Sequence, residues 1–385
     1  MHGRASRMNN QGTITGMQLG GLIFVFVFST TIAFLLSPLA GVASFDGSMC
    51  MLLAAIAGTA LTTLGMRFAM RLPTQYVGIY GGTLLPRCVH KAVLMFVAIF
   101  YLHLSAFILR EFTDFFMPIY LRETPPVAVA ILVMLPIVAL TQSGVSTVFR
   151  FAQGCFLVIG GLFMFKPLFF MNTMDSPMWY EFTRIHDWKI IWQQTYALIP
   201  WYGELIMFAY MAPQFNPDRN IRKIIWLGSM AGTYILIMEF LMMMFFFGPK
   251  LSAVLVYPAL ELTGFMHLGD FLHNIDALIV SIWFTGFFIK LAIIFNFGTL
   301  IFSQALSLRQ HRTVTFPLAA AVISISLILA KNPIELSEDF NSSWASYALC
   351  TEVLFFLYPL AAWVRGKKGR SAALAADMSA EPQQP

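Results

Sequence analysis

Lys290 sits near the middle of SIWFTGFFIKLAIIFNFG, residues 281–298, a run with no other charged side chain. Inserting an ammonium at the centre of such a helix costs about 3 kcal/mol, so it needs an internal partner or a wet cavity. Glu204 is set as deeply in a second apolar segment, within Trp201-Tyr202-Gly203-Glu204, where Pro200 and Gly203 weaken the helix. Together they read as a polar site at mid-membrane. A buried Glu204–Lys290 pair is plausible because each charge relieves the other's desolvation. Two other roles stay open: a Glu204 that titrates or binds a ligand amine, and a bridge that only pins two helices. Tyr101 and Ser105, four residues apart, share a helix face that can line the same cavity. His103 is a further candidate there, although an intramembrane His more often serves a bond between helices. Glu239, Asp276 and Glu352 fall nearer helix ends and are expected to reach water.

The elements that must position these groups follow from composition. The chain has 385 residues, 58% hydrophobic and 11% charged, with a mean hydropathy of +0.73. A soluble domain carries about 25% charged residues. The deficit and the repeated apolar runs predict an all-α polytopic membrane protein in contact with lipid. Ten spans are expected, near 17–41, 48–70, 90–110, 125–142, 147–170, 191–212, 223–247, 274–302, 315–331 and 345–364. With the N-terminus inside, sixteen Lys and Arg fall on inner segments and seven on outer ones. That bias predicts both termini cytoplasmic. Arg110, Lys166 and Lys250 belong to the outer set in this reading, and Glu111 and Asp114 to the outer acids. The chain divides into an N-terminal cytoplasmic segment 1–16, a transmembrane domain 17–364 and a tail 365–385, basic and then disordered. Leu19–Leu36 is too long for a signal-peptide core and reads as a retained first span.

Other chemistries find little support. The net charge of +5 is sorted by side of the membrane and points to no nucleic acid. Cys50, Cys88, Cys155 and Cys350 occur singly and suit no metal; buried inert thiols are expected, with a Cys50–Cys350 disulfide the alternative. Phosphate-loop, zinc-protease and serine-hydrolase motifs are absent from the sequence, so neither catalysis nor a cofactor is expected. Asn341-Ser342-Ser343 matches a glycosylation acceptor, a weak motif. The first span carries Ser29-Thr30-Thr31 and the sixth Pro200 and Gly203, each first in a set of five. Two interrupted spans in register point to a five-plus-five inverted repeat with a site at the breaks. For the small residues, and for Gly228 and Gly232 in the seventh span, close helix packing is the competing role.

Several stretches resemble the B subunit of spore germinant receptors, the endospore germination permease family. They are Ile14-Thr15-Gly16-Met17-Gln18-Leu19, Leu109-Arg110-Glu111-Phe112-Thr113-Asp114-Phe115, Gly144-Val145-Ser146-Thr147-Val148-Phe149-Arg150, and residues 257–290. The resemblance implies the amino acid–polyamine–organocation permease superfamily and its LeuT-like fold. It also implies a complex with an A subunit and a lipoprotein C subunit in the spore inner membrane. A nutrient, often an amino acid, would bind between the first, third, sixth and eighth spans. Here that means Ser29, Thr30, Tyr101, Ser105, Trp201, Tyr202, Gly203, Glu204 and the region of Lys290. The family commonly has a glycine at the first break, where this chain has Ser29-Thr30. A nutrient-sensing subunit is the function this implies. The alternatives are an ion-coupled amino-acid transporter and a structural subunit without a pocket.

Overall fold

A computed structural model describes residues 14–71, 75–169, 186–215, 220–265, 275–308, 310–330, 335–336 and 344–364, leaving aside the side chains of 168–169 and 275–279. The first third holds α1 (Gly16–Ser29), α2 (Thr31–Phe34), α3 (Leu36–Ala43), α4 (Gly47–Ala69), α5 (Val77–Leu84) and α6 (Arg87–Ile119). Next come α7 (Pro126–Ser143), α8 (Val145–Phe165), α9 (Trp188–Gly203), α10 (Met207–Tyr210) and α11 (Ile221–Ser252). The chain closes with α12 (Pro258–Gly264), α13 (Ile275–Ala305), α14 (Arg312–Ile328), α15 (Ala345–Val353) and α16 (Leu357–Val364). Among the described residues the β structure is one parallel bridge, Ile14 to Phe215.

Helix α1 starts at a capping box in which the Gln18 N–H donates to Thr15 Oγ1 and the Thr15 N–H donates to Gln18 Oε1. Its body is apolar and buried on nearly every side, which suits only a central position. It stops at Ser29. Thr30 and Leu35 retain right-handed helical angles, φ −82° and −96°, while the Ala33 and Phe34 N–H groups both turn to the Thr30 carbonyl. The interruption is therefore a shift in the hydrogen-bond ladder and less open than the unwound break expected from the sequence. Thr31 contributes to it, since its hydroxyl donates back to the Val27 carbonyl at 2.7 Å.

A second interruption follows α9, whose N-cap Asp187 accepts from the Lys189 and Ile190 N–H groups. Pro200 removes one ladder donor near its end, and Glu204–Ile206 tightens into a 3-10 turn before α10. A third, which the sequence reading did not anticipate, is the 3-10 turn Leu354–Phe356 between α15 and α16.

Helix α6 packs along α13, α11 along α1 and α9 along α4. Small residues allow these approaches. A Cβ added to Gly228 would lie 2.8 Å from the Gly20 carbonyl oxygen, and one added to Gly58 would lie 2.5 Å from Tyr202 Cβ. Outer helices turn Leu132, Leu157, Phe316 and Trp363 to the surface, as lipid contact requires. Eight stretches of the described residues are long and apolar enough to cross a membrane. The expected sixth and ninth spans, α9–α10 and α14, fall short of that length as continuous helices.

Several charged residues sit deeper than expected. Helix α6 runs on to Ile119, so Glu111 is buried within it and Asp114 pairs with Arg110 one turn back at 2.9 Å. Lys166 is buried and lies 2.8 Å from Glu239, which is buried as well. Glu352 is 1% exposed. Lys166 and Glu239 pair with each other, whereas Glu111 Oε1 and both Glu352 oxygens have no hydrogen-bond partner among the described residues. The four cysteines are free; Cys50 is buried, Cys155 half-buried, and Cys88 and Cys350 exposed, so Cys50 and Cys350 are not bridged. Residues 1–13, 171–185, 341–343 and the tail 365–385 lie outside the described residues, as does the side chain of Asp276.

Candidate functional site

Helix α13 delivers Lys290 to the joint between α1 and α2. Its Nζ donates to Thr30 Oγ1 at 3.0 Å and lies 3.1 Å from Glu204 Oε2 in the 3-10 turn after α9. The carboxylate contact is an ion pair, while the aligned hydrogen bond goes to Thr30. Two aromatic faces complete the surroundings: the Phe26 ring centroid is 4.6 Å from Nζ and that of Trp201 is 5.2 Å. An ammonium thus meets a carboxylate, a hydroxyl and two rings, with its charge balanced inside the bundle.

The 3-10 turn directs the Glu204 carbonyl to the Met207 N–H and leaves a second lone pair for a side-chain donor. The Tyr101 hydroxyl on α6 donates to that oxygen at 2.9 Å, and the Tyr101 ring is held edge-on to Phe297 at 4.6 Å. Trp283 serves α1 in the same way, its Nε1 donating to the Ser29 carbonyl at 2.6 Å.

The structure therefore brings Thr30, Trp201, Glu204 and Lys290 together, with Tyr101 joined through the backbone. The remaining expected residues face elsewhere. The Ser29 hydroxyl donates to Phe26 O, and the Ser105 hydroxyl donates to Tyr101 O. Tyr202 meets the Thr233 hydroxyl on α11 at 3.2 Å, and Gly203 faces Glu352. His103 packs against Trp344 and Tyr347.

A small, partly open cleft adjoins this site, with a cavity volume of about 20 Å³. It is lined by α2 (Ile32, Ala33), Phe115, Phe163 and α12 (Ala259, Leu260), with Lys166, Tyr257 and Thr263 as polar groups. Trp283 belongs to both places, lining the cavity with its ring while holding the Ser29 carbonyl. Tyr257 caps α12, and its hydroxyl has no hydrogen-bond partner among the described residues. Burial, and then the Asp114 and Glu111 carboxylates, push this phenol up, so it remains a neutral donor. Sequence reasoning missed the Lys166–Glu239 pair beside the cavity. The signal was present: Lys166 follows the apolar run VIGGLFMF and precedes PLFF, leaving it as isolated as Lys290.

The model of a family described as spore germination protein matches residues 13–334. The chain belongs to that spore germination permease family. Spore germination protein KB of Bacillus subtilis (strain 168) is 19% identical over 294 residues, covering 71% of this chain and 75% of that protein. Among solved structures, the family member resembles Mhp1, a nucleobase-cation-symport-1 family transporter in a closed conformation with bromovinylhydantoin bound. The TM-score is 0.67 at 10% identity, over 90% of this chain and 78% of Mhp1. A Na+-coupled sialic acid symporter in a substrate-bound outward-open state gives a TM-score of 0.60 at 12% identity, over 92% and 80% of the two chains. At these identities the likeness is one of fold. The germination permease is an integral membrane protein built on the LeuT-like transporter fold.

Proposed function

We propose that this permease is the nutrient-sensing subunit of a spore germinant receptor, assembled with an A subunit and a lipoprotein C subunit in the spore inner membrane. The observation that carries the reading is the set of groups around Lys290 Nζ. A carboxylate, a hydroxyl and two aromatic faces are what the primary ammonium of an amino acid requires. They stand at the joints of α1–α2 and α9–α10, where a ligand that enters alters helix geometry. Lys290 is the resident occupant. An amino acid presenting its own ammonium to Glu204 frees Lys290 to meet the ligand's carboxylate, so the incoming zwitterion replaces one internal ion pair with two. The cleft behind Trp283 widens to take the nutrient's apolar side chain. Thr30, Tyr101, Trp201 and Glu204 form the surrounding wall.

Ser105 is fully buried, so a large side chain there strains the core and confuses stability with recognition. Ala259, half-buried on α12, is the better probe. Spores carrying Ala259→Phe are expected to lose or narrow their response across a nutrient panel at normal protein abundance. An unchanged profile at normal abundance would place the sensor in a partner subunit. Co-purification of A- and C-type subunits with the tagged chain tests the assembly. The ion-coupled transporter alternative is favoured by the symporter-like fold; accumulation of labelled amino acid by proteoliposomes holding this chain alone would decide for it.

A further inference from the structure

Glu352 is a buried carboxyl group with no role in the ammonium site. It lies one residue before the end of α15, is 1% exposed, and neither carboxylate oxygen has a hydrogen-bond partner among the described residues. Its position is specific. A Cβ built on Gly203 would come within 1.9 Å of Glu352 Oε2 and 2.8 Å of Oε1, so both oxygens rest against the last residue of α9. The next residue, Glu204, is committed to Lys290 at 3.1 Å. The chain thus has two buried carboxyl groups on either side of one backbone joint, with the described ammonium at that joint taken by one of them.

Helices α9 and α6 pack against α15. From them the Glu204 carboxylate and the Tyr101 hydroxyl lie within electrostatic reach of Glu352. The Tyr101 hydroxyl is spent on the Glu204 carbonyl, and His103 packs on Trp344 and Tyr347. None supplies a positive charge to Glu352. Among the described residues there is no group of three or more His, Cys, Asp or Glu to hold a transition metal beside it. An isolated buried carboxylate without a counter-charge is far costlier than the neutral acid.

We propose that Glu352 is a proton-binding site, holding one proton as the neutral acid against Gly203 at the joint of α9 and the Glu204–Ile206 turn. Loss of that proton leaves a carboxylate beside Glu204, with Lys290 alone to balance two negative charges. The joint then has to open toward water or a cation. Protonation of Glu352 and the geometry of the broken helix are coupled by this arrangement, whatever ligand the neighbouring site takes.

Infrared difference spectroscopy of the purified full chain at neutral pH tests the assignment. Wild type minus Glu352→Gln is expected to show one carboxylic-acid C=O band in the wild type, above the carboxylate region and sensitive to deuterium exchange. The band is expected to persist in His103→Gln. Should Glu352→Gln purify poorly, Glu352→Asp is expected to shift the band. Absence of a difference in the acid region with either variant means an ionised Glu352 and overturns the proposal. Removal of the band by sodium at constant pH would overturn it too, in favour of a cation site. No nutrient is needed, so the result stands apart from the sensing proposal.

Discussion

At the scale of single residues, Lys290 is held by partners from two other helices, and its removal strands one of them. Lys290→Met leaves Glu204 buried without its cation, typically a loss of about 3–5 kcal/mol. Lys250→Met removes the same charge from an exposed position and is expected to leave stability within about 0.5 kcal/mol. Adding Glu204→Gln to Lys290→Met should recover part of the lost protein, read by immunoblot of membranes and by melting in detergent. Equal damage in the single and double variants would show that the energy of the site does not lie in the pair. The same reasoning applies to Lys166 and Glu239, 2.8 Å apart and equally buried.

At the scale of elements, close helix approach rests on a few positions without a side chain. Gly228 on α11 faces the Gly20 carbonyl and Ile23 of α1, so Gly228→Leu forces apart the helix that ends at the ammonium site. Overpacking of this kind costs about 1–3 kcal/mol, and the melting temperature in detergent is expected to fall accordingly. Gly154 on α8 is the contrast. Nothing lies within 4 Å of an added Cβ there, and Gly154→Ala is expected to be neutral or to stabilise the helix by up to about 1 kcal/mol. Similar melting of the two variants would mean that α1 and α11 do not depend on contact at Gly228.

For the whole molecule, the open question is which face is cytoplasmic, because the fold is the same read either way up. The charge bias puts the loop between α4 and α5 inside and the loop after α6 outside. In a background without the four native cysteines, Glu123→Cys is expected to react with an impermeant thiol reagent on sealed cells, and Gln75→Cys only after the membrane is opened. Both positions are exposed, so reactivity reports side and not burial. Strong labelling at position 75 from outside would invert the topology and place the cavity behind Trp283 on the cytoplasmic face.

Hydropathy alone was enough for the membrane class and the helical architecture, because a lipid-embedded backbone has to bond to itself and lipid-facing side chains have to be apolar. The depth of Lys290 and Glu204 was legible for the same reason, and Pro200 and Gly203 marked the second interruption by local chemistry. Tertiary structure decided the rest. Glu111, Lys166, Glu239 and Glu352 lie near helix ends or loops when counted along the chain, and whether such a group meets water or a partner depends on which helices pack beside it. Ser105 and Tyr202 shared plausible spacing with the site, yet hydroxyls take the nearest backbone or side-chain acceptor once neighbours are fixed. Most of all, Lys290, Glu204 and Thr30 come from segments far apart in sequence. Their convergence on one ammonium is a property of packing, which no local pattern encodes.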